Sequence, residues 1–315
     1  MSDRLTNQNK ENSNIDIDYF ELLSLIFIYK YLIAFSCLLF SLLGIMYSFS
    51  LDNIYKSEAI LAHASGPLDR QELPSGISNI ASFAGIAIED NEGERVSQGI
   101  EIIKSLAFFD DLQKDENLLK KLIAAKGWDA KKNLLIIDNK IFDERSQSWV
   151  YDGVFANNGK PSLQSSHRNF LKNLLIKKES GLVKISYLHY SPFVSREVVS
   201  KIISKINERT RNDDLKIANS SIQFLKLELS KTQLRDIKSG INELIKSQLE
   251  VISLANATPE YLFKVLSEPY APEIKQYPRR LNYFFSFLMI GFFGSLFFIT
   301  AKNYKKFISF NKFTT

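Results

Sequence analysis

Two charge-free apolar runs, Tyr31 to Leu51 and Leu281 to Ala301, constrain this chain more than any other feature. At roughly 20 residues each, they match the length an α-helix needs to cross the hydrocarbon core of a bilayer. Inside lipid every backbone polar group must be satisfied within the segment, so each run is expected to be helical. Between the runs lie residues 52–280, polar and mixed in charge, long enough to bury a core of their own. The expected architecture is therefore an α+β domain outside the membrane, carrying a very long helix and flanked by two transmembrane helices.

Charge sets the expected orientation. Lys302, Lys305, Lys306 and Lys312 follow the second run at once, which places residues 302–315, a short basic tail, in the cytoplasm, and two spans then place residues 1–30 there too. Lys275, Arg279 and Arg280 flank the other side of that run, but they belong to a long loop, which translocates largely regardless of charge. The segment before the first run is polar, with Asp16, Asp18 and Glu21, and no small-x-small site follows it, so a retained signal anchor fits better than a cleaved signal peptide. Asp16 to Tyr29 suits either an amphipathic helix on the cytoplasmic face or the first turns of the span. The overall charge of +5 is modest and interleaved, which argues against a nucleic-acid partner.

Within the first run Cys37, Ser41, Gly44 and Ser48 fall on one helical face, and Gly291, Gly294 and Ser295 offer a small-residue face on the second. Small faces allow close approach, so the runs are expected to pack as a hairpin. Cys37 is the chain's one cysteine and has no disulfide partner within it.

Beyond the first run, Tyr55 to Ala62 has strand character, and Ser75 to Ile88 is an unusually apolar stretch, either a buried loop or a contact surface. Glu94 to Ala125 has helical periodicity, interrupted at Asp110 and Asp115; Trp128 to Gly159 gives no firm assignment. Ser165 to Leu175 reads as helix and Gly181 to Tyr190 as an alternating strand. Ser191 and Pro192 form a capped helix start, followed by Val198, Ile202 and Ile206. A second periodic series covers about 212–256 without internal proline, implying one long helix, with a bend at Gly240, that ends at Thr258-Pro259. Residues 260–266 then read as a strand returning to the base. The strap of residues 267–280 carries Pro269, Pro272 and Pro278, each lacking an N–H and fixing φ, so it should be extended, ending on Arg279 and Arg280 as the chain enters the second run. Those arginines suit either membrane anchoring or contact with a polyprenyl diphosphate.

The chemistry of the chain is sparse. It has neither a GxxxxGK[ST] loop nor a GxGxxG turn, and His63, His167 and His189 are widely separated, so no catalytic residues, cofactor or metal site are expected.

Read together, Ile15 to Ile33, the glycine-containing Ser82 to Ile88, Ser191 to Asn207, Leu254 to Leu266 and the proline strap resemble, in this order, the Wzz-type chain-length determinants, the bacterial polysaccharide co-polymerases. The resemblance implies a non-enzymatic, two-pass inner-membrane protein with a periplasmic domain that forms a ring-like homo-oligomer. It implies as partners a membrane polysaccharide polymerase and a lipid-linked glycan, with the assembly setting the length of a surface polysaccharide such as the lipopolysaccharide O-antigen. Pro269, Pro272, Pro278 and Arg279 match the family's proline-rich motif, and Gly291 with Gly294 the small residues of its second span; bulky Tyr277 and the Gly-x-x-Gly-Ser spacing depart from it. The family's kinase branch carries a further nucleotide domain, for which the tail after Ala301 is too short. The alternative is a two-span sensory or adaptor protein with a periplasmic ligand-binding domain; a membrane-tethered glycan hydrolase would instead need clustered acids in a groove.

Overall fold

The computed structural model describes residues 26–64 and 92–310, with side chains from 26–64 and 93–302. The apolar stretch Ser75 to Ile88 and most of the segment Asp16 to Tyr29 lie outside the described residues. In chain order the elements are α1 (Lys30–Ser50), β1 (Tyr55–His63), α2 (Glu92–Lys104), α3 (Leu106–Gln113), α4 (Glu116–Ile123), β2 (Ala125–Asp129) and β3 (Leu134–Ile137). They continue with β4 (Phe142–Asp143), β5 (Ser148–Trp149), α5 (Leu163–Asn173), β6 (Leu174–Glu179), β7 (Leu182–His189), α6 (Pro192–Lys231), α7 (Arg235–Ala257), β8 (Phe263–Ser267) and α8 (Arg280–Phe310). The chain divides into two compact units, one made of the termini up to Leu51 and from Pro278, the other of Asp52–Tyr277.

The larger unit is built on a four-stranded antiparallel sheet in the order β6-β7-β1-β8. Alternation along β1 and β7 decides its inward face: Ala59 and Leu61 stand beside Val183, Ile185 and Tyr187, all fully or almost fully buried. Helices cover that face. Val198, Val199, Ile202 and Ile206 of α6 enter the same core as Phe108 and Phe109 of α3, Phe170 of α5 and Phe263 of β8. The short helices before the sheet begin at side-chain caps, where Ser105 accepts from Phe108 N and Asp115 from Leu118 N. Asp110, expected as an interruption, sits inside α3; the break falls at Ser105 instead, because its hydroxyl supplies the cap. Leu174 and Leu175, expected at a helix end, begin β6. Residues 128–159, unassigned from sequence, form two small hairpins, β2–β3 and β4–β5, around Ala124, Ile137 and Phe142.

The long helix differs from expectation in its bounds. The two periodic series after Ser191 are one helix, α6, of 40 residues, capped by Ser191 Oγ and with Pro192 in its first turn. At 1.5 Å per residue it is about 60 Å long. It stops at Lys231, and Thr232 to Leu234 are non-helical, so the single helix over 212–256 is corrected to the end of α6 and a second helix, α7. Gly240, expected at a bend, lies buried inside α7. The break permits a return. Side chains of α6 (Ala218, Ile222, Leu225) and α7 (Ile241, Leu244, Val251) are buried, and Tyr261, just past α7, donates its hydroxyl to Asp214 of α6 at 2.8 Å. The two helices thus form an antiparallel hairpin, the outer half of α6 matched in length by α7.

The smaller unit pairs α1 with α8. Ser36 Oγ donates to the Gly291 carbonyl at 3.0 Å, and the Arg280 guanidinium lies 4.1 Å over the Phe49 ring, so residue numbers run oppositely along the pair and the helices are antiparallel. Both are long and apolar enough to cross a membrane. Their outer faces leave Tyr31 78% and Phe297 75% exposed, which a helix in the core of a water-soluble protein would not do.

Candidate functional site

Among the described residues no group of three or more His, Cys, Asp or Glu side chains could hold a metal ion. The arrangement that the sequence motifs bring together is mechanical, a clamp where the helical hairpin, the sheet and the proline strap meet.

Its centre is Asn207, 4% exposed on α6. Its Oδ1 accepts from Leu262 N at 2.9 Å and Phe263 N at 2.8 Å, and its Nδ2 donates to the Phe263 carbonyl at 2.9 Å. One side chain therefore fixes the point where the chain leaves α7 and enters β8. The two stretches Ser191 to Asn207 and Leu254 to Leu266, remote in sequence, are joined here. A second node lies earlier on α6. Buried Ser195 accepts from Ser57 N at 2.8 Å and donates to the Tyr187 carbonyl at 2.6 Å, tying α6 to β1 and β7. Ser57 in turn donates its hydroxyl to the Tyr270 carbonyl at 2.7 Å, which holds the strap against β1.

The strap is extended after β8, as three prolines require, and runs back along the start of β1. Pro272 and Pro278 are buried and Pro269 half-buried, whereas Arg279 and Arg280 are exposed. Its far end is fastened where Ile54 N donates to the Tyr277 carbonyl at 2.9 Å and Gln276 N to the Ile54 carbonyl at 2.8 Å. Lys275 Nζ reaches Asn53 Oδ1 at 3.0 Å. The two connections from the larger unit towards α1 and α8 thus leave side by side.

His189 anchors the other end of α6. Ser191 N donates to its Nδ1 at 3.0 Å, so the ring proton is on Nε2, which donates to the Lys121 carbonyl at 3.0 Å and satisfies a free carbonyl in the last turn of α4. Burial lowers its pKa to about 4, against weaker opposing effects of these hydrogen bonds and of Glu197. An unfolded histidine titrates near 6.5, so between about 6.5 and 4 the unfolded chain binds the extra proton and stability falls as pH falls. We expect this residue to remove about 3 kcal/mol over that interval. His189→Asn, which keeps an acceptor near Nδ1 and cannot titrate, should flatten the pH dependence of thermal unfolding of the full chain in detergent between pH 6.5 and 4. An unchanged slope would assign the loss to other groups. The carboxyls of Asp115, held low chiefly by its hydrogen bond from Lys201, and of Glu58, held low chiefly by Lys56, lose their stabilisation only as pH falls further, through their own depressed pKa values.

The small-residue faces expected on the spans are divided by the structure. Ser41, Gly44 and Ser48 are buried on α1, and Cys37 is half-buried. On α8 Ser295 is buried; a Cβ at Gly291 would sit 3.0 Å from the Ser36 carbonyl oxygen and 3.1 Å from Cys37 Cα, while one at Gly294 would meet nothing within 4 Å. Gly44 lies under Phe287, whose Cβ would be 2.7 Å from a Cβ there. Sequence reasoning gave no role to Asn207, Ser195 or His189. The polarity of Asn207 and Ser195 beside an apolar periodic series was the available signal.

On the outer half of α6, Ile217, Ser220, Phe224 and Leu227 are all exposed at heptad spacing, on a side away from the contact with α7. Beside the clamp, a groove of about 500 Å³ is lined by Arg196, Ser200, Glu260 and Glu268.

Residues 15–115 match the model of the family described as Wzz, chain length determinant protein. No curated protein sequence matches the chain. Among solved structures it is similar to a full-length bacterial polysaccharide co-polymerase, at 10% identity and a TM-score of 0.42, over 92% of this chain and 98% of that one. It is also similar to a fragment of WzzB, a polysaccharide co-polymerase from Salmonella Typhimurium, at 9% identity and a TM-score of 0.28, over 71% of this chain and all of that fragment.

Proposed function

We propose that this chain is a two-pass inner-membrane chain-length determinant, a non-enzymatic scaffold that acts beside a membrane polymerase to set the length of a surface polysaccharide, the lipopolysaccharide O-antigen. The observation that carries the reading is the match of residues 15–115 to the chain-length-determinant family. The paired apolar helices and the long helical hairpin on a sheet-based domain are consistent with it. In this reading α1 and α8 cross the membrane, both chain ends are cytoplasmic and Asp52–Tyr277 is periplasmic. The strap then joins scaffold to bilayer, and its prolines and Arg279 and Arg280 set how the chain enters the second span.

The mechanism needs copies of the chain to stand together. Ile217, Ser220, Phe224 and Leu227 form an a/d-like seam about three turns long with no covering element among the described residues, and a second copy of the hairpin would cover it. Repeated around a ring, such contacts bring many hairpins near one growing glycan and bias when extension stops. Ile217→Asp with Phe224→Asp should shift the protein in detergent from a closed ring of many subunits to smaller species, with thermal stability of the single chain kept. A wild-type protein that is only a monomer or dimer would instead favour the two-span sensor. The function itself is tested by deleting the gene: the ladder of polysaccharide lengths on a gel should lose its modal cluster, and an unchanged ladder rejects the assignment.

A further inference from the structure

Both connections from the larger unit to the candidate spans start from one small area, and that area carries an apolar surface the reading above leaves unused. Asp52 is two residues past Ser50, the last residue of α1, and so lies within about 7 Å of it by chain length alone. On the other connection Tyr277 is three residues before the start of α8 at Arg280, and it is bonded to Ile54.

The β2–β3 hairpin abuts this area. Its one face turns inward: Trp128, paired with Leu135, meets the Tyr55 ring edge-on at 5.5 Å. Its other face carries Leu134 and Ile136, 60% and 50% exposed, opposite Asp129 and Gly127. A Cβ at Gly127 would lie 3.5 Å from Ile136 Cδ1 and 3.7 Å from Asp52 Oδ1, so the exposed face begins at the residue that leaves α1. Ile274, 84% exposed, adjoins Lys275, whose Nζ touches Asn53. Three exposed branched apolar side chains thus lie on the two segments, the β2–β3 hairpin and the strap, that touch the residues where the connections leave. At the hairpin tip Lys131 and Lys132 are exposed, and the acid nearest them, Asp129, is engaged by the N–H groups of Lys131 and Lys132 at 2.9 and 3.3 Å.

Singly exposed apolar residues are ordinary on any protein. Here position gives them an occupant. If α1 and α8 span, the headgroup layer, roughly 5–7 Å deep on each side of the hydrocarbon, begins within reach of Asp52 and Tyr277. We propose that the β2–β3 hairpin and the strap at Ile274 rest on the bilayer surface, with Leu134, Ile136 and Ile274 in the apolar boundary and Lys131 and Lys132 on headgroup phosphates. This contact restrains the periplasmic unit against the membrane independently of the two spans. It rests on the two-pass reading and is separable from it by experiment.

The test uses the full chain with Cys37→Ser and one new cysteine at a time, Leu134→Cys, Ile136→Cys, Ile274→Cys, Ser230→Cys or Phe293→Cys. Each carries an environment-sensitive fluorophore, in vesicles of phosphatidylethanolamine and phosphatidylglycerol doped with doxyl-labelled lipid. Labels at 134, 136 and 274 should lose fluorescence to the doxyl lipid and shift their emission to the blue. The label at 293 should be quenched more strongly, and that at 230, at the far end of the hairpin, should not respond. Quenching at 293 with none at 134, 136 and 274 overturns the surface contact and leaves the spans standing. Shielding of those three sites from aqueous iodide without quenching by lipid, the behaviour of a protein contact, also overturns it. An unquenched label at 293 overturns the two-pass reading and this contact together.

Discussion

Asn207→Ala should be the most destabilising single substitution outside the two long apolar helices. The change removes three hydrogen bonds at once and leaves two amide N–H groups and a carbonyl at a site that is 4% exposed. At roughly 1 kcal/mol for each lost bond, plus the desolvation of groups left without a partner, the expected loss is about 3–5 kcal/mol. For a unit of this size that lowers the unfolding midpoint by about 10 °C. The comparison that isolates the mechanism is Asn219→Ala on the same helix, an exposed asparagine whose Nδ2 bonds only the Leu215 carbonyl one turn back. It should change stability by less than about 0.5 kcal/mol. Limited proteolysis adds a spatial readout: cleavage within residues 258–268 should become fast in Asn207→Ala, because β8 is an edge strand paired on one side only, with β1. A midpoint within a degree or two of wild type would show that water replaces the side chain, and that the clamp lies elsewhere, in Ser195.

The sequence exposes the parts of this assembly unequally. Local signals were readable. Ser191 before Pro192 marked a helix start because cap and proline chemistry act within one turn. The alternation Val183, Ile185, Tyr187 marked the inward face of β7 because strand periodicity is fixed by backbone geometry. The three-residue break at Thr232 to Leu234 was hidden, since it contains neither proline nor glycine and the apolar period runs on across it. Only the packing of α7 back onto α6 makes a turn there favourable. Asn207 was hidden for a related reason: it follows Ile206 directly, as a residue on a helix surface would, and its partners are 55 and 56 positions away. A polar side chain that satisfies distant backbone looks in sequence like one that satisfies water.

This difference also bears on the strap. Prolines told that residues 267–280 could not continue a helix, but not what would hold an extended chain with few free N–H groups. The answer lies on β1 and the two residues before it, where Ser57, Asn53 and Ile54 bond Tyr270, Lys275, Gln276 and Tyr277. Bonds from side chains and from the few remaining amides replace the ladder that proline forbids. The strap is thereby a continuation of the sheet edge by other means, tied to α6 through Ser57 and Ser195.

Gly291→Leu should separate the two apolar helices, whereas Gly294→Leu should not, although the two glycines are three residues apart and belong to one small-residue pattern. A Cβ at position 291 would press on the Ser36 carbonyl oxygen at 3.0 Å, on Cys37 Cα at 3.1 Å and on Phe40 Cβ at 3.1 Å. Two of these are backbone atoms, which cannot swing aside as the end of a flexible side chain does, so relief requires the helix axes to part. In lipid no hydrophobic force draws the helices together, and close van der Waals packing with an interhelical hydrogen bond is what holds them. Moving the axes apart weakens both, including the bond from Ser36 Oγ to the Gly291 carbonyl. The expected cost is about 1–3 kcal/mol, the usual range for overpacking. At position 294 there is nothing within 4 Å of an added Cβ, so a leucine there extends into the exposed side of α8 and should be nearly neutral. Thermal unfolding of the two variants in detergent should show the difference directly. If the proposed function is right, the polysaccharide ladder of a strain carrying Gly291→Leu should drift towards that of the deletion strain, while Gly294→Leu keeps the wild-type pattern. Equal behaviour of the two variants by both measures would mean that contact between α1 and α8 does not depend on the close approach at Gly291.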